Sequence, residues 1–204
     1  MKNAALAMVP GISGSGDMPT PIDRLHAACD SRLRYRDSMT LVDMWIANDE
    51  GSRFDPCDIP TLLAKIYLLD QEGERLRYRV SGEAVNALTN RQHTGRFLDE
   101  IVPPDIYPEI LPCFMRVIGG TAICILQGKL IVPERDNLYF ERVLLPVRRY
   151  GRTMLLGCRS LSTTCALRDG MTAEQEGVRL TMIDRSTGDA WDEVRNLVPV
   201  APTY

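Results

Sequence analysis

The sequence predicts an α+β domain built on a five-stranded antiparallel sheet, with short helices gathered on one face. Three observations carry this prediction. Leu76-Arg77-Tyr78-Arg79-Val80 alternates with the period of two that a half-buried strand requires. The apolar residues of the runs around Leu41 and Ile110 recur instead at helical spacing. The segments then follow one another as strand, strand, helices, strand, strand, strand, an order that gives a mostly antiparallel sheet with its helices segregated.

The elements can be justified in turn. Residues 1–30 carry Gly11, Gly14, Gly16, Pro19 and Pro21 without a sustained period, and are expected to form a mobile tail that buries too little apolar surface to offset its ordering entropy. No strand precedes the Gly-Ile-Ser-Gly-Ser-Gly run and no Lys follows at the spacing of a phosphate loop, so it reads as a linker. A helix is expected from Ser38 to Asn48, where Leu41, Val42, Trp45 and Ile46 share one stripe, with Ser38 or Thr40 as its cap and Gly51 past its end. Pro56 and Pro60 mark an extended loop. Leu63–Asp70 and Leu76–Val80 form a hairpin around Gly73, with Leu76, Tyr78 and Val80 on one face and both arginines on the other. A short helix over Glu83–Asn90 and a second short element around Phe97–Ile101 follow. The helix read over Pro104–Ile118 must start late or kink near Pro112, because an interior proline costs about 3 kcal/mol. Strands are expected over Thr121–Val132, Tyr139–Arg148 and Arg152–Ser160, with turns at Pro133–Asn137 and Tyr150-Gly151. Residues 162–204 read as an irregular extension in which Met171–Met182 and Trp191–Leu197 are candidate helices.

Composition excludes several function classes. Among 204 residues, 24 basic side chains face 27 acidic ones, and a net charge of −3 argues against partners that are nucleic acid or membrane. The cluster Arg32, Arg34, Arg36 is read as a solvated face, since acidic residues follow it and no aromatics interleave. No apolar run is long enough for a membrane helix and the start lacks a signal h-region, so a cytoplasmic location is expected. The cysteines at 29, 57, 113, 124, 158 and 165 form no Cys-x-x-Cys and stand at no zinc spacing with His26 or His93, so no metal is expected. No cofactor is expected either. Haem needs an axial ligand, and His93 falls in a loop. No acid pair, catalytic triad or Cys/His pair stands out, so the chain is not expected to be an enzyme.

Asp55-Pro56, Asp58-Ile59-Pro60 and Leu62-Leu63 are followed by Tyr67-Leu68-Leu69-Asp70, Tyr78-Arg79-Val80 with Gly82, and Thr94-Gly95. Phe140-Glu141-Arg142 with Leu144 and Pro146 completes the series. In this order and spacing they resemble a family of stand-alone bacterial PAS-like proteins, over residues 38–161. The resemblance implies a PAS fold, in which a five-stranded antiparallel sheet cups short helices around a small cavity. It supplies no catalytic residues. The domain is placed at 31–161, with the helix around Trp45 flanking it on the N-terminal side.

Such a fold points to a sensory or regulatory module that binds a small molecule or a protein partner and signals by association. No output domain follows residue 161, so output is expected to be intermolecular. Candidate pocket residues are Tyr78, Val80, Phe97, Ile123, Ile125, Glu141, Arg142 and Leu144. The alternative is that they fill a solid core, leaving a ligand-free interaction scaffold. Glu141 and Arg142 are consecutive on one strand and must face opposite ways. A buried charge needs a partner, and Arg79 is the candidate for an ion pair with Glu141, unless both lie in an exposed ladder of charges. Leu41, Met44 and Trp45 must bury against their own sheet or a second copy, and are the candidate interface of a homodimer.

Overall fold

The computed structural model describes residues 18–130, 138–163, 165–171 and 178–195. Among these, seven strands form one antiparallel sheet: β1 Ile66–Glu72, β2 Arg75–Ser81, β3 Ala122–Leu130, β4 Leu138–Arg149, β5 Arg152–Leu161, β6 Val178–Asp184 and β7 Ala190–Arg195. Their order is β2-β1-β5-β4-β3-β6-β7. The first five are the expected strands. Tyr150 and Gly151 both adopt positive φ, the geometry a two-residue hairpin loop demands, and so join β4 to β5 with Arg149 opposite Arg152. The turn expected at Pro133–Asn137 and the glycine run of the first 17 residues lie outside the described residues.

Two stretches depart from expectation. Within the extension read as irregular, β6 pairs with β3 along Ala122–Gln127 and carries β7 on its outer side. Val178, Leu180 and Met182 alternate, and the free edge of β3 supplies the backbone partners that a helix over Met171–Met182 would have forgone. Residues 172–177 and 196–204 lie outside the described residues. At the other end, Pro21–Asp30, read as part of a tail, is helix α1. Thr20 Oγ1 accepts from Asp23 N at 3.2 Å, Asp23 Oδ2 accepts from Thr20 N at 2.9 Å, and Pro21 opens the first turn.

Helices cover both faces of the sheet. α1 and α2 (Arg36–Ala47) pack on the face carrying Ile66, Leu68, Ile123, Ile125, Val143, Leu145 and Leu156. α3 (Glu83–Ala87), a single 3-10 turn at Leu98–Glu100 and α4 (Tyr107–Ile118) pack on the other, against Tyr67, Leu69, Tyr78, Cys124, Leu144, Leu155 and Met182. α4 begins late, at Tyr107, which places Pro108 in the first turn, where its missing N–H is harmless, and leaves Pro112 inside the helix. Among the described residues no helix is long and apolar enough to cross a membrane.

α2 is held by two polar contacts that its sequence pattern does not show. Its N-cap is Tyr35, without a side-chain cap, and Ser38 instead meets Ser160 across 3.2 Å in the core. Trp45, fully buried, donates from Nε1 to the Pro146 carbonyl at 2.7 Å. Gly51, at φ +81°, lies against this bond: a Cβ there would overlap the Trp45 ring and sit 2.7 Å from the Pro146 oxygen. Leu41 is likewise fully buried and Met44 packs half-buried on the same core, so the three residues offered as a dimer interface are used largely within the chain.

Glu141 fastens the α1–α2 connection to the sheet. It is 0% exposed and accepts from Arg34 N at 2.7 Å, Tyr35 N at 3.2 Å and Gln127 Nε2 at 2.6 Å. Gln127 Nε2 also donates to the Arg32 carbonyl at 2.8 Å. Burial raises the Glu141 pKa, and hydrogen bonds from Ser38, Arg34, Gln127 and Tyr35 oppose the rise. The expected pair with Arg79 does not form. Arg79 bonds Asp70 at 3.0 Å, and Glu72, along the β1–β2 edge. Backbone amides and the Gln127 side-chain amide, rather than a cation, answer the carboxylate.

Two expectations test this arrangement. Gly51→Ala forces both a left-handed backbone and an overlap with Trp45, and should lower unfolding free energy by about 2–4 kcal/mol in urea titrations. Glu141→Ala strands the amides of residues 34 and 35 and should cost about 3 kcal/mol, whereas Arg79→Met, which leaves the buried Asp70 carboxylate paired with Arg152, should cost less than Glu141→Ala. A double-mutant cycle between Glu141 and Arg79 should give no coupling.

Candidate functional site

On the α3–α4 face, alternation along β4 and β5 brings two arginines side by side. Arg142 shares its face with Leu144, and Arg159 shares its face with Gly157 and Leu155. The register places Arg142 directly opposite Arg159. Both residues are partly exposed, but each Nε is buried and has no hydrogen-bond partner among the described residues. No carboxylate lies within ion-pair distance of either guanidinium among the described residues. This contrasts with nearby sheet arginines. Arg75 pairs with Asp99, Arg77 with Glu72, Arg79 with Asp70, Arg149 with Asp55 and Arg152 with Asp70. Burial first, and the neighbouring Arg142 second, bring Arg159 down to about 9, so it is still a cation at neutral pH.

An aromatic wall stands over the pair. Tyr67 lies opposite Gly157, and its ring occupies the space a Cβ at that position would take. Its centroid is 5.7 Å from that of Tyr78, which in turn is 5.1 Å from His93. His93 is brought there by the chain after α3, which zips onto β2. Gly95 N donates to the Tyr78 carbonyl at 2.8 Å, and Tyr78 N donates to the Arg96 carbonyl at 2.9 Å. Gly95 makes this approach at φ +87°, which accounts for the Thr94-Gly95 pair in the sequence. His93 N donates to Asn86 Oδ1 at 3.1 Å and His93 Nε2 meets Thr89 Oγ1 at 2.6 Å, leaving Nδ1 buried with no partner among the described residues. The Tyr67 hydroxyl is in the same condition. Burial pushes both tyrosine hydroxyls up, so they stay neutral.

The sequence candidates divide among several places. Tyr78, Arg142 and Leu144 join this cluster. Ile123 and Ile125 are buried on the opposite face, against α1 and α2, because β3 pairs Cys124 with Leu144 and so turns its odd positions away. Glu141 faces that way too. Val80 is 47% exposed, since the register shifts between Leu68 and Leu69 and makes Arg79 an extra residue, which cancels the alternation beyond Tyr78. Phe97 is half-buried beneath the Arg75 guanidinium, 3.7 Å from the ring centroid. Tyr67, His93 and Arg159 were missed. Read with period two, Leu155, Gly157 and Arg159 share a face, and that alternation was the available signal.

A cleft of about 220 Å³ opens on the other side of the molecule, lined by Ser31, Arg32, Arg34, Gln127, Gly170, Met171, Arg179 and Thr181. Its polar groups largely answer one another. Thr181 Oγ1 donates to Asp192 at 2.6 Å, Arg179 approaches the same carboxylate, and Arg32 bonds the Ala28 carbonyl and Ser31. The unanswered groups are on the α3–α4 face. Among the described residues no group of three or more His, Cys, Asp or Glu side chains is arranged to hold a metal.

His93 makes this face sensitive to pH. Burial, then Arg159, Arg142 and Arg96, depress it from 6.5 to about 4. The unfolded chain therefore takes up the imidazole proton first, and stability present above pH 6.5 is lost as the pH falls toward 4. Between pH 7 and pH 5, urea unfolding should show a loss about 1–2 kcal/mol larger for the native chain than for His93→Gln.

The arrangement, a five-stranded core in the order β2-β1-β5-β4-β3 with short helices and orphan polar groups on one face, can be set beside known proteins. No curated protein is similar enough to match. A family model described as "PAS domain" matches residues 39–159, more than half of the chain and nearly the whole span from α2 to β5. The chain belongs to the PAS domain family, whose members are in general sensory and interaction modules.

Proposed function

We propose that this protein is a non-enzymatic sensory module that binds a small molecule between the sheet and the α3–α4 layer and passes its state to another protein by association. The observation that carries the reading is the gathering on one face of four buried polar atoms that have no hydrogen-bond partner among the described residues: Tyr67 Oη, His93 Nδ1, Arg142 Nε and Arg159 Nε. Folded proteins pair nearly all such atoms, because each one left unmade costs about 1–3 kcal/mol. A ligand with polar groups would answer several of them at once, and Tyr67, Tyr78 and Leu144 make the cluster beside them apolar.

The first half of the reading is tested by native mass spectrometry of freshly purified protein. Independent preparations should carry a small molecule that is released on unfolding. Bare protein in every preparation, with a melting temperature that a concentrated small-molecule extract leaves unchanged, would favour the solid-core interaction scaffold instead. Light scattering with and without the retained molecule then tests whether association follows occupancy.

A further inference from the structure

The unanswered atoms of the α3–α4 face are not chemically neutral, and their charge narrows the ligand. Of the four residues, two are arginines paired across strands, where like charges directly opposite one another repel. Their surroundings provide no counter-charge among the described residues. Leu144, Leu155 and Phe140 are apolar, and the phenols of Tyr67 and Tyr78 are held neutral by burial. The Phe140 ring, with the Arg142 guanidinium 5.8 Å from its centroid, offers only a weak cation–π contact. Tyr67 is 99% buried, and neither its hydroxyl nor Nδ1 of the equally buried His93, on the far side of Tyr78, has a partner among the described residues.

We infer that this site is a receptor for a small organic anion, whose carboxylate or phosphate group lies against Arg142 and Arg159 and accepts from the Tyr67 hydroxyl, with its body against the Tyr67–Tyr78 wall. Guanidinium forks match both kinds of oxyanion in geometry as well as charge. The inference rests on the sensory reading above and specifies the class of molecule sensed. It also explains why Arg142 and Arg159 have no acidic partner among the described residues, whereas Arg75, Arg77 and Arg79 of β2 and Arg149 and Arg152 beside the β4–β5 turn each have one. An internal carboxylate would compete with the ligand.

The test is a thermal-shift series at fixed ionic strength with succinate, inorganic phosphate and, as the neutral counterpart, succinamide. At about 10 mM, succinate or phosphate should raise the melting temperature of the native chain by about 2–5 °C, and succinamide should not. A response to succinate alone assigns a carboxylate, and a response to phosphate alone assigns a phosphate ester. Arg159→Met removes a half-buried cation that has no carboxylate partner among the described residues, so it should melt no lower than the native chain without anion and should lose the response. Arg142→Gln should lose it as well, which keeps the test available if the Met variant folds poorly. Equal shifts from succinate and succinamide, or a full anion response in either variant, would overturn the inference. A neutral molecule retained in native mass spectrometry without any anion response would overturn the anion class and leave the sensory reading standing. Protein that binds neither would overturn both.

Discussion

The pleat of β4 is the constraint on which the rest of the molecule depends. The strand lies in the middle of the sheet with helices on both sides, so each of its residues must be satisfied by one layer or the other. Consecutive side chains point opposite ways, and Glu141 and Arg142 therefore carry opposite charges into opposite interiors. Neither can neutralise the other. The carboxylate is answered by the amides of residues 34 and 35, and that requirement fixes where the chain passes from α1 to α2. The guanidinium lies opposite a second arginine and, among the described residues, meets no carboxylate. A single two-residue step thus gives one face its structural anchor and the other its uncompensated charge.

The anchor has consequences beyond Glu141. Once the α1–α2 connection is seated, the segment after β5 can run beside it. Arg36 N donates to the Ala166 carbonyl and Arg168 N to the Arg34 carbonyl, while the Arg168 side chain reaches the Asp30 and Leu33 carbonyls. That path leads toward the edge of β3, where β6 adds. The two strands outside the five-stranded core are therefore coupled to the N-terminal helices through the same short stretch of backbone.

Much of the core was legible in the sequence because it depends on local signals. Alternation marked β2, apolar runs between turn signals placed the other four core strands to within a few residues, Tyr150-Gly151 marked a two-residue turn, and Glu141 and Arg142 stood out as adjacent opposite charges on β4. What was not legible depends on pairing between strands. Nothing local to Val80 reveals that an extra residue at position 79 turns it outward. The parity of β3, which sends Ile123 and Ile125 away from Leu144, is set by its register with β4 and not by its own pattern. Arg159 follows an apolar run in which a lone cation looks incidental until Arg142 is found opposite. Thr20-Pro21-Ile22-Asp23 forms a helix start that could have been read, but the glycine-rich composition before it masked the signal.

The same geometry sets what an occupied site would do. The two arginines sit on the strands at the centre of the sheet, so their mutual repulsion is a charge on the stability of the β4–β5 pair itself. An anion that relieves it stabilises those strands in proportion to its occupancy, by simple linkage. On the opposite side of β4, one residue away, Glu141 holds the α1–α2 connection and, through it, the segment that borders β6. Tightening of the central pair therefore acts on the strand to which the outer layers are tied. On the proposed reading, occupancy would need no moving lid and would act as a change in the stability of a strand shared by both faces.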